Sequence, residues 1–294
     1  MSKRIMFFLV LLITGSSFGP ALARDPGTPA EPETTSAKSL FSFKTDDREP
    51  IFGDRFTLKA GYKVWVAKWQ AQVSTGGLSN QANSDHWTAM SGPSTTGIVK
   101  LQEGDWFNSV LVNFTWINGG FDFAELTENS NHFFANRRDY TITAALPIYQ
   151  GFGVFGGYYN SRQEITNAPN NPALGVDRHP RQMDGAIVGV FGNVPASERV
   201  SVYGNFALAF LSFNGRGNTD PNLVQKTDAV QGYMTEMGVN IMGPRAWKIG
   251  TEFQLGFRAQ IVQKNFGPNA TGGADQQPLN DLTYGPIMTI NAVF

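Results

Sequence analysis

The sequence predicts an all-β fold, a transmembrane antiparallel up-and-down β-barrel of about ten strands, within a range of roughly eight to twelve. Three observations predict it. Apolar and polar residues alternate with the period of a strand through most of the chain after Asp54. The segments that alternate are separated by connections that are short and long in turn. No later segment has the uninterrupted apolar run of roughly 20 residues that a transmembrane helix needs.

The first 53 residues differ from the rest of the chain. Lys3 and Arg4 precede an apolar run and a small-residue segment that ends at Ala23, which is the order of parts in a secretory signal peptide. We therefore predict a signal peptide over residues 1–23 that is removed from the mature protein. Residues 24–53 are rich in Pro, Ser, Thr and Glu, a composition that buries little apolar surface, and they are predicted to form a flexible periplasmic tail. The barrel is predicted over residues 54–294.

Composition excludes several classes of function. The chain has 23 Lys and Arg against 24 Asp and Glu, and removal of Lys3 and Arg4 leaves 21 against 24, a net charge of −3. Such a balance provides no basic surface for nucleic acid. The chain contains no Cys, which removes disulfides, thiol catalysis and thiolate metal sites. No phosphate-binding glycine loop or dinucleotide fingerprint is present, so no cofactor is predicted.

The predicted strands follow this alternation, and each has one mainly apolar face. They cover residues 54–67, 96–101, 106–117, 140–149, 152–165, 185–192, 200–213, 233–242, 247–262 and 282–294. Long connections are predicted over residues 74–95, 118–138, 166–182, 214–228 and 263–281. Short turns are predicted at 102–105, 150–151, 194–197 and 243–246. Short turns on one side and long loops on the other are typical of membrane-spanning barrels.

The last strand carries a resemblance to a known class. Apolar residues at alternate positions share one face and end with the chain itself: Leu282, Tyr284, Met288, Ile290, Ala292 and Phe294. This closely resembles the terminal strand of bacterial outer-membrane β-barrels, in which a final Phe acts as the assembly signal. The resemblance covers residues 54–294 and identifies no subfamily. It implies residence in the cell outer membrane of a Gram-negative bacterium, contact with lipid and lipopolysaccharide, and Phe294 as the signal for the barrel assembly machinery. A monomer is expected.

Charged residues within the predicted strands are the candidate functional residues. They lie on the faces opposite the apolar ones and are predicted to line the lumen: Lys59, Lys63, Glu236, Lys248, Glu252 and Arg258. Two interpretations follow. They form a packed polar core that fastens the barrel, or they select small solutes in a narrow conduit. The leading predicted function is a narrow pore or passive transporter for small solutes. The alternative is a structural or surface-binding, adhesin-like barrel with a packed core.

An outer-membrane hydrolase ranks third. All three histidines, His86, His132 and His179, fall in predicted loops. The segment Asp177-Arg178-His179 resembles half of the site of omptin-type proteases, but the Asp pair that completes that site is not recognisable; Asp122 and Asp139 are separate candidates without the motif. We therefore assign no catalytic residue, expect no enzymatic activity, and predict no metal site from the scattered histidines.

Two further features are predicted to hold the barrel in its membrane. Cations near the predicted outer ends of strands are expected to pair with lipid A phosphates: Arg137, Arg138, Arg178, Arg181 and Lys226. Aromatic residues towards strand ends are expected to supply interfacial girdles or to fill the lumen: Trp65, Trp69, Trp106, Trp116, Tyr140, Tyr158, Trp247 and Tyr284.

Overall fold

The structure is a computed structural model that describes residues 52, 55–75, 78–101, 109–123, 133–149, 151–166, 181–216, 224–246, 248–264 and 279–294. Its strands are β1 Phe56–Thr75, β2 Leu78–Asn83, β3 Thr88–Lys100, β4 Ser109–Phe123, β5 Phe133–Tyr149, β6 Phe152–Thr166, β7 Arg181–Pro195, β8 Val200–Arg216, β9 Val224–Met242, β10 Gly250–Lys264 and β11 Leu279–Val293. Within these described residues, no helix has the length and apolar character needed to cross a bilayer. The predicted signal peptide and, apart from Phe52, the predicted tail lie outside them.

The strands close into a barrel. Each pairs antiparallel with its neighbours, and β11 pairs with β1 from Lys59 opposite Val293 to Gln70 opposite Leu282. Strands β2 and β3 pair with different parts of the long strand β1, so ten strands complete the wall. Closure pairs each of the ten wall strands on both sides, which is what a sheet in hydrocarbon requires. The predicted antiparallel β-barrel of about ten strands is confirmed.

The two ends of the barrel differ. At one end, here called the turn end, the chain passes through short turns between β5 and β6, β7 and β8, and β9 and β10. Gly151 takes a left-handed φ of 87° in the first of these, and Ala196 and Ser197 donate backbone hydrogen bonds to the Val200 carbonyl in the second. The predicted turn at 102–105 lies outside the described residues. The opposite end is called the loop end.

The outward face of the wall is apolar around the whole circumference. Its exposed side chains come from all ten wall strands and include Tyr62, Val99, Phe114, Ile142, Val154, Val188, Phe210, Met237, Leu255 and Ile290. In water such a continuous surface is a liability. In hydrocarbon it is the required covering, since outer-membrane barrels carry an apolar band outside and polar groups inside.

Several predicted loops are wrong because the strands continue through them. Strands β2 and β3 occupy much of the predicted loop 74–95, while β4 extends to Phe123 and β5 begins at Phe133, within the predicted loop 118–138. The reason is that the outward residues become polar near the loop end, as with Asn118 and Arg138. Apolar alternation is lost there, although the strand and its backbone pairing go on.

Candidate functional site

Five of the six charged residues predicted to line the lumen do lie on the inward face, and they form a ladder of ion pairs in the turn half of the barrel. The Lys59 ammonium contacts the Glu252 carboxylate, and Lys63 Nζ lies 3.5 Å from Glu236 Oε2. Arg258 Nη1 is 3.9 Å from the same oxygen of Glu236. We call Lys59, Lys63, Glu236, Glu252 and Arg258 the ion ladder.

Lys248 is the exception, and its predicted position was wrong. The strand predicted to start at Trp247 starts at Gly250, and Lys248 is exposed in the preceding turn with a left-handed φ of 71°. Ala246 and Ile249 exchange two backbone hydrogen bonds of 2.9 Å, which close this turn before the strand begins. Lys248 therefore lies at the turn end and not on the inward wall.

Uncharged side chains also contact the ion ladder, through hydrogen bonds to its carboxylates and one cation–π contact. Glu252 Oε1 accepts hydrogen bonds from the side-chain amides of Gln254 and Asn291, at 2.7 and 3.2 Å. Tyr203 Oη donates to Glu236 Oε1 at 3.2 Å. The Arg258 guanidinium lies 4.9 Å from the ring centroid of Trp65, a cation–π distance. Each carboxylate of the ladder thus has at least one cation and one neutral donor.

A second polar cluster lies in the loop half, and its contacts cross the interior from wall to wall. Its centre is the pair Arg137 and Asp139, in which Arg137 Nη2 is 2.8 Å from Asp139 Oδ2. The same guanidinium donates to Thr283 Oγ1 and, at 3.2 Å, to Tyr159 Oη. We call this cluster the cross-barrel layer, with members Arg137, Asp139, Tyr159, Gln163, Gln260, Asp281 and Thr283.

The members of the cross-barrel layer come from strands on opposite sides of the wall. Gln163 on β6 donates to Asp281 on β11 at 3.3 Å, and these strands are five steps apart in either direction around ten strands. Gln260 on β10 donates to Tyr159 on β6 at 2.6 Å, four strands away. Direct hydrogen bonds between opposite walls leave no aqueous gap along those lines.

Aromatic and aliphatic side chains fill the space around the cross-barrel layer. Trp69 donates its indole N–H to Asp281, and its ring packs edge-on against Phe121 and Phe123 with centroids 5.2 Å apart in both pairs. Arg137 lies 5.5 Å from the Trp69 ring centroid. The buried hydrophobic cluster in this half comprises Trp65, Ala67, Trp69, Met90, Ile117, Phe121, Phe123, Ala135 and Ile287. The loop half of the interior is therefore filled with side chains.

The turn half is less completely filled. Several inward residues of β3, β4 and β5 are partly exposed there, although their neighbours nearer the loop end are buried: Thr96, Asn113, Thr141 and Thr143. These side chains are small, and Asn113 Nδ2 donates to Thr96 Oγ1 at 2.8 Å along the wall itself. The interior thus consists of a closed loop half and a more open, hydroxyl-lined turn half.

The charges of the interior balance. On the inward face, the charged side chains that are at least partly buried and described by the structure are four bases and four acids: Lys59, Lys63, Arg137, Arg258, Asp139, Glu236, Glu252 and Asp281. Removing one partner of a buried pair is costly, whereas a balanced set is tolerated when its hydrogen bonds are satisfied. A closed wall, an apolar outer surface and a balanced polar interior are the features that allow a β-sheet to cross a lipid bilayer.

The fold is that of an outer-membrane β-barrel. This is the fold class that the sequence predicted, and the apolar outer wall around a polar interior supports the predicted location in the outer membrane. No protein-family model matches the barrel, and no curated protein matches it either.

Solved structures similar to the barrel include bacterial outer-membrane proteins of different activities. The outer membrane protease OmpT from Escherichia coli is 13% identical, with a TM-score of 0.44 and coverage of 86% of this chain and 99% of that one. A Pseudomonas aeruginosa FadL homologue is 8% identical, with a TM-score of 0.33 and coverage of 83% and 91%. The translocator domain of the autotransporter NalP from Neisseria meningitidis is 12% identical, with a TM-score of 0.36 and coverage of 81% and 88%. These values assign no activity to the barrel.

Sequence reasoning missed the residues of the cross-barrel layer on β5. Arg137 was predicted to face lipid A at an outer strand end, which is wrong, because its side chain is buried inside the barrel and only 1% exposed. Asp139 was considered as an unsupported catalytic candidate, and it is the buried partner of Arg137. A signal was present: the polar face Thr141 and Thr143 continues at the same spacing through Asp139 to Arg137.

The remaining candidates do not assemble into a catalytic or metal site within the described residues. His86 is exposed between β2 and β3, and Asp122 is exposed on the outward face. His132, His179 and the Asp177–His179 segment lie outside the described residues, as do Arg178 and Trp106. In the part of the chain that the structure describes, no three acidic or histidine side chains are grouped to hold a metal ion.

Phe294 lies at the seam where the barrel closes. Its backbone N–H donates to the Leu58 carbonyl at 2.8 Å, and its carbonyl accepts from the Leu58 N–H at 3.3 Å. The final residue is thus paired with the first wall strand and half-buried. Its role as an assembly signal stays a prediction.

Proposed function

We propose that the barrel is a non-conducting outer-membrane platform, whose packed polar interior holds the wall rigid while the loop end makes the functional contacts. This is the structural or surface-binding alternative from the sequence. The observation that carries it is the cross-barrel layer: Arg137 with Thr283, Gln163 with Asp281 and Tyr159 with Gln260 join opposite walls directly. A solute would have to break these contacts to pass.

The balance of interior charge supports the same proposal. Ion-selective pores line their constrictions with an excess of one sign of charge, which attracts one class of ion. Here each acid in the ion ladder contacts a base, and Arg137 is bound by Asp139. These charged side chains therefore pair with one another. The pairs stabilise the barrel from inside, since an unpaired charge at that depth would be costly.

A narrow pore for small solutes, the leading prediction from the sequence, remains the second candidate. It is favoured by the partly exposed hydroxyl-lined wall in the turn half, where Thr96 and Thr143 leave more room than the aromatic residues of the loop half. In that case the cross-barrel layer acts as a gate that must open. A hydrolase is not supported by any grouping of the described residues.

Conductance in planar bilayers distinguishes the two. We expect the wild-type barrel to give no steady current in salt solution at moderate voltage. A variant with the crossing side chains shortened, Trp69→Ala with Arg137→Ser and Gln163→Ser, is expected to conduct, because it removes contacts between opposite walls. The matched control is Trp116→Ala with Arg138→Ser and Arg162→Ser, which truncates similar side chains on the outward face. It should remain silent. Steady current through the wild type would exclude the platform and support the pore.

Loop function is tested separately. Peptidoglycan-free outer-membrane vesicles that display the wild-type barrel should bind a host or bacterial surface component through the loop end. Shortening the segment 124–132 between β4 and β5 should abolish that binding while the folded barrel is retained. Equal binding by the shortened barrel and the wild type would remove this segment as the contact region.

A further inference from the structure

Two phenylalanine rings lie along the inner wall in the open turn half. Backbone pairing places Phe155 of β6 opposite Gly189 of β7, and Phe191 of β7 opposite Gly153 of β6. A Cβ added at Gly153 would be 2.5 Å from Phe191 Cζ, and one added at Gly189 would be 2.5 Å from Phe155 Cζ. Each ring therefore covers a glycine of the neighbouring strand instead of reaching across the barrel. Both side chains are partly exposed, and we call them the aromatic platform.

Uncharged polar side chains flank the aromatic platform on both sides. On one side, Thr143 lies on the inward face of β5, the strand next to Phe155. On the other side, Asn205 of β8 pairs with Phe191, and Asn193 is the next inward residue of β7. All three polar side chains are partly exposed. Hydroxyl and carboxamide groups both donate and accept hydrogen bonds, so a ligand on the platform would meet both kinds of partner.

Small residues leave room in front of the aromatic platform. Ala145 of β5 pairs with Phe155, and Gly157 is the next inward residue of β6; both are partly exposed. Towards the loop end, the hydrogen bonds of Tyr159 to Arg137 and Gln260 close the space. A barrel with about this number of strands has room for one small ligand where its side chains do not fill it. We call this space, bounded by the platform, its polar flanks and the cross-barrel layer, the turn-half cavity.

The charges beside the turn-half cavity are already paired. Asn205 pairs across the strands with Glu236, whose carboxylate lies 3.5 Å from Lys63 Nζ and 3.9 Å from Arg258 Nη1. A charged ligand would have to compete with these contacts. A wholly apolar ligand would displace water from the hydroxyl and carboxamide groups without replacing its hydrogen bonds, which is costly. The lining therefore favours a neutral ligand that has both hydroxyl groups and an apolar face.

We propose that the turn-half cavity binds a neutral saccharide of one or two rings. A pyranose ring has a face of C–H groups, which suits the electronegative face of a phenylalanine ring, and hydroxyl groups around its edge. The C–H face lies on the aromatic platform, and the edge hydroxyls exchange hydrogen bonds with Thr143 on one side and Asn205 on the other. The site lies on the turn side of the cross-barrel layer, so it does not depend on whether that layer ever opens.

Saccharide binding to the folded barrel tests the proposal. The barrel is purified in a detergent without a sugar headgroup, and saturation-transfer NMR measures the Kd for maltose, cellobiose and N,N′-diacetylchitobiose. We expect at least one of them to bind with a Kd of about 1 mM or below. Ala145→Phe should raise that Kd at least about tenfold, because the added ring takes the space of the saccharide. The matched control is Ala144→Phe, whose side chain is exposed on the outward face and should leave the Kd unchanged.

A second variant tests the polar flank without changing its volume. Thr143→Val removes one hydroxyl and should raise the Kd about threefold to tenfold, the effect of one hydrogen bond. Thr143→Ser should restore most of the affinity. The control is Thr95→Val, on the outward face opposite Phe114 of β4, which should bind as the wild type does. The heat-dependent shift of the band in gels confirms that each variant is folded.

Charged sugars test the predicted ligand class. Glucose should bind more tightly than glucuronate or glucosamine, because the charge of either analogue would disturb the paired ion ladder. Equal or tighter binding of a charged analogue would overturn the assignment of a neutral ligand. The proposal also fails if none of the three disaccharides binds, or if the folded Ala145→Phe and Thr143→Val variants both bind like the wild type. Conductance is measured separately, so these outcomes leave the test of the non-conducting platform unaffected.

Discussion

Replacing Arg137 with Ala should destabilise the barrel more than any single change at the surface. Arg137 is 1% exposed and its partner Asp139 is 2% exposed. The guanidinium donates to Asp139, Thr283 and Tyr159 and lies near the rings of Trp65 and Trp69. Its removal leaves the Asp139 carboxylate buried without its cation.

The magnitude follows from that unpaired carboxylate. Breaking a buried ion pair by removing one partner costs about 3–5 kcal/mol. We therefore expect Arg137→Ala to lower the free energy of unfolding by about 4 kcal/mol. Replacing both partners with apolar residues, Arg137→Met with Asp139→Leu, removes the uncompensated charge. That double variant should recover most of the loss, because well-packed apolar replacements of buried pairs are often close to neutral.

Equilibrium unfolding in urea, with the barrel in lipid vesicles and tryptophan emission as the signal, measures the loss. The Arg137 guanidinium lies 6.0 Å from the Trp65 ring centroid and 5.5 Å from that of Trp69, so the emission of these tryptophans reports on its packing. The control is Arg138→Ala, the next residue along the chain, whose side chain is exposed on the outward face. In phospholipid without lipid A it should change the free energy of unfolding by less than about 0.5 kcal/mol. If the two alanine variants unfold at the same urea concentration, Arg137 is not buried in an ion pair and the cross-barrel layer is wrong.

Three further changes test other parts of the barrel by the same unfolding measurement. Gly151→Ala should cost about 1–3 kcal/mol, because φ there is 87° and a Cβ would lie 2.2 Å from the Asn193 carbonyl oxygen; an unchanged midpoint would contradict the turn geometry. Lys248→Gly should raise stability by up to about 1 kcal/mol, since glycine adopts φ near 71° without strain; a loss of stability would argue against that conformation. Glu252→Gln should lower the free energy of unfolding by about 2 kcal/mol, because Lys59 loses the carboxylate of Glu252. Lys59→Met in the same background should restore part of that free energy, and no recovery would mean that the two residues do not interact.

The wall of the barrel was predictable because lipid imposes one rule on every strand. Residues facing hydrocarbon must be apolar, so alternation marked β5 from Tyr140 and β6 from Phe152 with their shared turn in the right place. The rule fails where strands extend beyond the apolar belt. The outward residues Asn118 and Arg138 are polar there, and the sequence pattern was interpreted as a loop although the strands continued.

The ion ladder was predictable in membership but not in pairing. A charged residue opposite an apolar face has to point inward, which identified Lys59, Lys63, Glu236, Glu252 and Arg258. Which acid meets which base depends on the stagger of strands around the closed wall. Lys59 and Lys63, four residues apart, contact carboxylates on two different strands, β10 and β9. A single sequence does not contain that stagger.

The cross-barrel layer could not be predicted for the same reason. Arg137 and Thr283 are 146 residues apart, and only closure of the barrel brings them into contact. Arg138 and Arg162 become neighbours through the register between β5 and β6. One residue of slip would turn Arg138 inward and Arg137 outward. The structure therefore places the side chains of these two adjacent arginines on opposite faces of the wall, although the sequence predicted the same lipid-facing position for both.

Cysteine accessibility tests most directly whether the loop half of the interior is closed. The chain has no Cys, so Asn113→Cys and Thr283→Cys each carry a single thiol, one in the open turn half and one in the cross-barrel layer. The folded barrels are treated in detergent with a charged, water-soluble thiol reagent. We predict that the thiol at position 113 reacts readily, and that the thiol at position 283 reacts at least about a hundredfold more slowly until the barrel is unfolded. Equal rates at the two positions would mean that water reaches the whole interior, and would contradict a loop half filled with side chains.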